Sequence, residues 1–378
     1  MIHASISSTV TRLGLIALCF GPLAMASHAD SRADLNGDQI VDAADLTIFF
    51  DRWGPAVGHF GDLNLDGMVD SVDLARLLNV WNYTYATAVY TPTFELDYVG
   101  CGGATGPTVS TGGAGFGSAS SPYNAGRVVS TAGYKNITRI EADINIAGMT
   151  GNFINAAFYM VNKSSQPISG TYCDSGGGSP WCNEIDFLET NANALTQTTV
   201  HLDSNSACGY SCDQRYEFSF GAKANTSCYA YSTLVSDATM PQSGTHNLVN
   251  IIDFDSTFHM VAEYNLVSPS MKVTYSQTRG KQTYSAVVYD STMAIACTNQ
   301  PAPQTWCQNN AGGAGLDMSL LPASMQTGWW LVGSMWQGYS PGQSNQYSTG
   351  NCSWASLCGG PSYWSLSNVR VTAESQFN

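Results

Sequence analysis

The sequence predicts a mostly β protein, a β-sandwich or jelly roll, preceded by a small helical domain. From Phe94 onward the chain consists of short segments of alternating apolar and polar residues, separated by Gly, Ser, Asn and Thr. Helical periodicity is nearly absent there, and many short strands joined by polar turns are typical of sandwiches and jelly rolls. The preceding region instead carries a repeated acidic loop followed by apolar residues at helical spacing. We therefore expect two domains in the 378 residues.

The individual strands of the second domain can be predicted from this alternation and from their content of β-branched and aromatic residues. Polar turns separate them, and such a fold can bend one sheet into a groove for an extended polymer. The predicted strands are Arg139–Ile146, Ile154–Asn162, His259–Leu266, Met271–Ser276, Thr283–Tyr289, Trp329–Trp336 and Ser365–Thr372.

Residues 1–29 are predicted to be a secretory signal peptide. Arg12 precedes an apolar run from Leu13 to Leu23, which is too short to span a bilayer, and small residues follow at cleavage-like spacing up to Ala29. No later stretch approaches membrane-spanning length. The sequence thus predicts an exported, soluble protein that does not insert into a membrane. The net charge of −14 makes nucleic acid or an anionic membrane an unfavourable partner.

Cysteine usage agrees with export. Of the 11 cysteines, Cys19 lies in the signal peptide and the other ten all fall in the second domain. An even set in an exported protein predicts a disulfide framework, although its connectivity stays open. The ten are Cys101, Cys173, Cys182, Cys208, Cys212, Cys228, Cys297, Cys307, Cys352 and Cys358.

Residues 34–45 and 62–73 form an internal repeat with a period of 28 residues. Side-chain oxygens recur at loop positions 1, 3, 5, 9 and 12, with a backbone carbonyl at position 7, which is the pattern of a calcium loop. Helical stretches follow at Leu46–Trp53 and Leu74–Trp81. The predicted ligands of two Ca²⁺ ions are Asp34, Asn36, Asp38, Ile40, Asp42 and Asp45, and Asp62, Asn64, Asp66, Met68, Asp70 and Asp73.

This loop–helix duplicate resembles a type I dockerin module over residues 30–82. The resemblance implies that the module binds a cohesin domain of a scaffold or cell-surface protein. Gln39 departs from the pattern, since the loop usually has Gly there, and we expect weaker calcium binding at the first site. The alternative is a calcium-stabilised spacer without a cohesin partner. A short linker, residues 83–91, then leads to the β domain, residues 92–378.

A cluster of acids in the stretch 181–191 contains the strongest candidates for catalysis. Glu184, Asp186 and Glu189 lie among Ile185, Phe187 and Leu188, which predicts a strand. Alternation places Glu184 and Asp186 on one face, and a β-bulge would bring Glu189 to the same face. Two such carboxyl groups suit a retaining glycosidase, and Asp186 could hydrogen-bond the nucleophile. The alternatives are a surface strand with solvated acids and a calcium site.

Glu184-Ile-Asp-Phe-Leu-Glu189 resembles the E-x-D-x-x-E signature of the glycoside hydrolase clan that contains families 7 and 16. Among the residues that flank the signature, Trp181 resembles the sequence of family 16, whereas Cys182 and Thr190-Asn191 resemble that of family 7. The family therefore stays open. The resemblance implies a β-jelly-roll (concanavalin A-like) fold. It also implies Glu184 as nucleophile, Glu189 as acid/base and Asp186 between them.

Four further residues are candidates for substrate binding. Trp181 precedes the signature, and Trp330 and Trp336 share one face of a predicted strand, where flat rings could stack on sugars. Aromatic residues at strand spacing are equally expected in a core. His201 lies roughly where family 7 carries a histidine near the cleft, although a lone histidine is more often structural.

These observations predict a secreted, retaining, endo-acting glycoside hydrolase that cleaves β-1,3/1,4-glucan or cellulose and is tethered through its dockerin. Three alternatives remain at this point. A lectin of the same fold would bind glycan without turnover, a hydrolase of another polysaccharide such as a galactan would differ only in substrate, and a structural surface protein would show neither activity. Three acids on one face favour catalysis over both non-enzymatic alternatives.

Overall fold

A computed structural model describes residues 33–36, 40–55, 61–64, 66–82, 87–99, 106–117, 126–149, 154–173, 182–190, 195–202, 215–220, 245–248, 251–292, 318–337 and 362–378. Within these ranges the protein is mostly β, which confirms the predicted fold class. The helices are α1 (Ala43–Asp51), α2 (Ser71–Asn79) and α3 (Leu321–Thr327), and a 3₁₀ turn covers Met318–Leu320.

The strands fall into two groups, of which the first is a two-stranded ribbon in the acidic-repeat region. It consists of β1 (Gly54–Pro55) and β2 (Met68–Val69). The other sixteen form one sheet system: β3 (Ala88–Tyr90), β4 (Phe94–Val99), β5 (Thr108–Ser110), β6 (Gly113–Gly117), β7 (Gly126–Ser130), β8 (Gly133–Asn145), β9 (Ile154–Asn162), β10 (Glu184–Thr190), β11 (Leu195–His201), β12 (Arg215–Phe220), β13 (Thr245–Asn247), β14 (Phe258–Asn265), β15 (Ser270–Arg279), β16 (Gln282–Asp290), β17 (Trp329–Gln337) and β18 (Tyr363–Phe377).

Both helices of the acidic repeat begin three residues earlier than the apolar spacing indicates. Asp42 caps α1 by accepting a hydrogen bond from the Ala44 N–H, and Asp70 caps α2 in the same way. The carboxylates of Asp45 and Asp73 reach back to the N–H groups of their caps and complete two capping boxes. The first turn of each helix is thus helical because its N–H groups are satisfied by acids, which an apolar pattern does not reveal. A separate cluster that includes Phe49 packs the helices together.

The large sheet system is antiparallel apart from the β12–β13 pair. Its main path runs β13-β12-β11-β10-β9-β17-β8-β14-β15-β16, and β18 pairs with β3, β6 and β8. Strands that are distant in sequence therefore lie side by side, as β9 and β17 do over their whole length. This arrangement puts β10 between β9 and β11, as the fourth strand of the main path counted from β13.

Strands β9, β10 and β17 are covered on both faces. On one face Phe158, Ile185 and Leu331 join the large apolar core, together with Trp329 and Trp364. On the other face a smaller cluster contains Tyr159, Val161, Tyr172, Trp330 and Val332, with Cys173 and Cys182. Side chains alternate between these two faces. The polar side chains of β9, β10 and β17 that point away from the large core therefore lie beside the smaller cluster.

The sheet begins within the segment that the sequence assigns to a linker. Ala88–Tyr90 form β3, which pairs with Val371–Ala373 of β18. Backbone hydrogen bonds to the C-terminal strand thus hold this segment in the sheet, a long-range contact that local composition does not report. None of the helices in the described ranges is long and apolar enough to span a bilayer.

Candidate active site

The candidate site is built on a β-bulge in β10. Against β9, Asp186 pairs with Tyr159 while Leu188 pairs with Phe158, so Phe187 is the extra residue. The bulge sends two consecutive apolar side chains, Phe187 and Leu188, into the core. It therefore brings Glu189 to the face that carries Glu184 and Asp186, as the sequence analysis anticipates for a bulged strand.

Two hydroxyl groups stabilise the bulge by donating hydrogen bonds to its backbone. The carbonyl oxygen of Phe187 accepts hydrogen bonds from Thr198 Oγ1 at 3.2 Å and Tyr275 Oη at 3.0 Å. Because a bulge disturbs the regular ladder, this buried carbonyl depends on side-chain donors. Tyr275 lies on β15 and Thr198 on β11, so the rest of the fold fixes the position of the acids.

The acids are withdrawn from water to an unusual degree. Glu184 is 8% exposed and Asp186 is 6% exposed. Carboxylates are seldom buried to this extent without a compensating partner, because the loss of hydration is costly. His201 stands directly across the β10–β11 pair from Glu184 and is 7% exposed. Ligand-type atoms of Glu184, Asp186 and His201 all lie within 4.8 Å of one another.

Burial also determines the charge of the histidine. Desolvation lowers the pKa of His201 to about 3, so its imidazole is neutral across the ordinary pH range. A neutral ring beside two carboxylates carries one donor and one acceptor nitrogen. The structure thus brings His201, predicted near the cleft, into the group of acids.

Asn155 on β9 orients the third acid. Its side-chain amide donates to Glu189 Oε1 at 2.8 Å, and its Oδ1 accepts from the Thr190 N–H at 3.0 Å. Asn155 is 2% exposed, so both bonds are shielded from water. The Asn155 amide therefore connects the Glu189 carboxylate to the backbone of the next residue and favours one rotamer of Glu189.

A pair of tyrosines extends the site on the side of β10 that faces β9. Tyr159, opposite Asp186 in the β9–β10 register, shares a hydrogen bond of 2.6 Å with the hydroxyl of Tyr172. The Arg127 guanidinium lies 3.3 Å from the centre of the Tyr172 ring and pairs with Asp97. This stack holds a fixed cation against the ring of Tyr172.

The tyrosines are neutral hydrogen-bonding groups. Burial raises the pKa of Tyr159; the Arg127 cation opposes this rise, and the Glu184 carboxylate adds to it. Burial also raises the pKa of Tyr172, with Tyr159 and Glu184 adding to the rise. Glu184 is thus close enough to both phenols to interact with them electrostatically, and a substrate at Glu184 would meet protonated hydroxyl groups.

A disulfide closes the segment between the second tyrosine and β10. Cys173 and Cys182 are bonded, with their Cα atoms 5.6 Å apart, and both side chains are buried. Cys173 follows Tyr172, and Cys182 lies two residues before Glu184. The bridge therefore ties the tyrosine to the start of the candidate catalytic strand. The other eight cysteines predicted to pair lie outside the described residues.

The prediction that Trp330 stacks on sugar is wrong. Its side chain is fully buried, its ring packs edge-on against Phe377 at 5.2 Å, and its indole N–H donates to the Lys163 carbonyl at 3.0 Å. Alternation on β17 does separate Trp329 from Trp330, but each face is covered by other residues. Trp330 thus packs beneath the disulfide-linked segment. Trp181 and the side chain of Trp336 lie outside the described residues.

In both acidic loops, aspartate carboxylates accept hydrogen bonds from backbone N–H groups of the loop. In the second loop the Asp62 carboxylate accepts from the N–H groups of Asp66 at 3.1 Å and Gly67 at 2.8 Å, and Asp73 accepts from Asn64 and Asp70 at 2.9 Å. In the first loop Asp45 accepts from Leu35, Asn36 and Asp42 at 2.6, 3.0 and 2.7 Å. Asp38 lies outside the described residues.

The donor set of these loops fits a hard cation, since it consists of carboxylate, amide and carbonyl oxygens. Within the described ranges no three acids of either loop come within 4.8 Å of one another. Gly67 has φ +90°, a conformation that favours glycine, at the loop position where the first repeat has Gln39. The described part of the second loop thus has the backbone conformation that this loop position requires.

Several residues of the site escape sequence reasoning. Asn155 and Tyr159 lie on a strand whose bounds are predicted correctly, and their spacing of four puts them on one face. The sequence does not show which residues these two side chains contact until the pairing of β9 with β10 is known. Arg127 and Tyr172 reach the site only through strand pairing and the disulfide-linked segment, for which the sequence offers no local signal.

The sequence matches no protein-family model and no curated protein. Solved structures with some likeness include an endoglucanase I complexed with cellobiose, at 15% identity and a TM-score of 0.44 over 70% of this chain and 77% of that chain. A GH7 family cellobiohydrolase from Daphnia pulex has 14% identity and a TM-score of 0.38, over 77% and 81%. A Crh5 transglycosylase in complex with NAG has 12% and 0.39, over 77% and 86%. These likenesses are too distant to say what this chain binds or does.

Proposed function

We propose that the protein is a retaining glycoside hydrolase that cleaves a β-glucan, either β-1,3/1,4-glucan or cellulose, within the polymer chain. The observation that carries this proposal is the bulge at Phe187, which places Glu184, Asp186 and Glu189 on one face. Double displacement requires two carboxyl groups that flank the scissile bond at close spacing, and acids carried on one face of a single strand support such an arrangement.

Each acid has a role that follows from its surroundings. Glu184 attacks the anomeric carbon to form a glycosyl ester, and Glu189 donates its proton to the departing oxygen. Glu189 then removes a proton from water, which displaces Glu184 and retains the anomeric configuration. Asn155 holds Glu189 for both proton transfers. Asp186, beside Glu184 on the same face, supports the charge state of the nucleophile.

Reducing-sugar release tests this function. Purified protein is incubated with calcium and a panel of soluble β-glucans, cellulose and algal galactans, with Glu184→Gln in parallel. Turnover of a β-glucan that is lost in the variant supports the proposal, and turnover of a galactan alone changes the substrate class. No turnover on any polymer, with equal glycan binding by both proteins, would favour the lectin alternative.

Replacing Asn155 by Ala is expected to lower kcat about 10- to 100-fold, because a lost hydrogen bond to a charged group costs about 1.5–3 kcal/mol. Asn162 on the same strand offers a matched control. Its amide donates to the carbonyls of Ser324 and Gly328 at 2.7 and 2.9 Å, away from the acids. Asn162→Ala should therefore lower thermal stability while keeping kcat. Equal losses of kcat in both variants would show that Asn155 has no specific effect on Glu189.

We further propose that the protein is secreted, after removal of residues 1–29, and is tethered by a dockerin covering residues 30–82. Equivalent positions of the repeat expose apolar side chains: Phe50 and Leu78, and Trp53 and Trp81. Phe50 and Trp53 stack at 5.9 Å on the surface of the module. Such an exposed apolar patch supports a protein-binding role, and a cohesin-bearing scaffold or surface protein is the proposed partner.

Two Ca²⁺ ions are the proposed cofactors of this module. We expect the second loop to bind calcium more tightly than the first, since Gln39 occupies the position of Gly67 in the repeat. Gln39→Gly should strengthen the first site about fivefold, which corresponds to about 1 kcal/mol. Calorimetric titration of the full chain with Ca²⁺ measures both sites, with Gly67→Gln as the reciprocal variant. Unchanged affinities in both variants would contradict this account.

A further inference from the structure

Beyond hydrolysis, the acid cluster has the composition of a transition-metal site. A carboxylate oxygen of Glu184, one of Asp186 and a ring nitrogen of His201 lie within 4.8 Å of one another. Imidazole nitrogen and carboxylate oxygen are both ligands of Zn²⁺, and catalytic zinc sites use three protein ligands with an open fourth position. The set differs from that of the acidic loops, which offer only oxygen.

His201 gives independent support for a ligand at this place. Its residue is only 7% exposed, and within the described ranges its ring has no hydrogen-bond partner, although it stands directly opposite Glu184. An imidazole this deeply buried, with no hydrogen-bond partner among the described residues, is well placed to meet a ligand.

The ligand atoms lie close enough together to share one metal ion. Bonds of about 2.0–2.2 Å put the ligand atoms of a zinc ion roughly 3.3–3.5 Å apart. The separations of at most 4.8 Å between the ligand atoms exceed this spacing by about 1.5 Å or less. Residues 184, 186 and 201 lie on the paired strands β10 and β11, so the backbone that carries the ligands is already fixed.

We propose that Glu184, Asp186 and His201 bind a divalent transition-metal ion, with Zn²⁺ as the probe, and that the ion inhibits turnover by occupying the nucleophile. The inhibitory part rests on the proposed function, whereas the binding part does not. Zinc bound at Glu184 neutralises its charge and blocks attack on the anomeric carbon. Glu189 is not a ligand, so the acid/base residue remains unbound by the metal.

Calorimetric titration of the full chain with ZnCl₂ tests the site directly, in excess CaCl₂ so that the acidic loops are occupied. We expect His201→Gln to weaken zinc binding at least tenfold and Glu184→Gln to do the same. The matched control is His259→Gln. His259 Nδ1 lies 2.8 Å from Asp143 and its Nε2 lies 3.7 Å from Glu141, so this half-buried cluster has the same residue types. Its loss should leave binding at the proposed site unchanged.

The remaining variants separate the two parts of the proposal. Glu189→Gln should keep zinc affinity although it loses turnover, and zinc should inhibit the wild type until a chelator is added. If His201→Gln does not fold, as shown by thermal unfolding, Glu184→Gln and Asp186→Asn decide the binding test. Absence of zinc binding, or binding lost in His259→Gln and kept in Glu184→Gln, would overturn the site. Binding without inhibition would overturn the regulatory role alone.

Discussion

Glu184→Gln is expected to lower turnover of the polysaccharide by at least about 10³-fold while the protein stays folded. The amide has the size of the carboxylate but cannot form a glycosyl ester. Because Glu184 is 92% buried beside Asp186, the neutral amide also removes a costly buried charge, so we expect no loss of thermal stability. Initial rates and a thermal unfolding curve for each protein measure the two effects.

The control for this prediction is Glu263→Gln on β14. Glu263 is an exposed acid that pairs with Arg139 at 2.9 Å and Lys272 at 3.3 Å. Surface ion pairs of this kind contribute little, so the variant should keep both turnover and stability. Turnover at the wild-type level in Glu184→Gln would refute the assignment of the nucleophile.

Glu189→Gln is expected to lower turnover of the polysaccharide about 10²- to 10⁴-fold, the usual contribution of general acid–base catalysis. An aryl glycoside with a good leaving group needs no proton, so the variant should still form the glycosyl ester with Glu184 from such a substrate. Added azide needs no general base and should therefore restore release from the ester. The product is a glycosyl azide of retained configuration, which proton NMR identifies.

The same azide experiment distinguishes the two acids. In Glu184→Gln no ester forms, so any azide product would arise by direct displacement and have inverted configuration. Retained product from Glu189→Gln together with inverted product from Glu184→Gln would assign both roles in one comparison. Failure of azide to restore any reaction in Glu189→Gln would contradict its role as acid/base.

The bulged strand could be predicted from sequence because its signal is local. Three acids among Ile185, Phe187 and Leu188 fit one face only if one residue is extra, and the structure places that residue at Phe187. The predicted bounds of β9 also match the structure. Patterns confined to one strand were therefore sufficient to find the acids and the shape of the strand.

What the sequence does not predict depends on contacts between distant segments. Alternation correctly separates Trp329 from Trp330, but it does not reveal that Phe377, from the end of the chain, packs against Trp330. The ring of Tyr172 likewise reaches Arg127 only after β7, β17 and β9 assemble. Which residues cover a face is decided by strand order, and strand order is not encoded in any one segment.

The helix starts illustrate a different limit. Apolar spacing begins at Leu46 and Leu74, whereas α1 and α2 begin at Ala43 and Ser71. The first turn of each is stabilised by the acids of a capping box. Since the same acids also fit a calcium loop, the sequence pattern assigned them to ligands alone.

The central claim, that Glu184 becomes covalently bonded to the sugar, is tested most directly by trapping that bond. The enzyme is incubated with a 2-deoxy-2-fluoro glycoside of the sugar that the polysaccharide panel identifies, digested, and analysed by peptide mass spectrometry. The account predicts one added glycosyl group on the peptide that contains Glu184, and none on the Glu184→Gln protein. A label on Glu189, or turnover with inverted configuration and no covalent adduct, would contradict it.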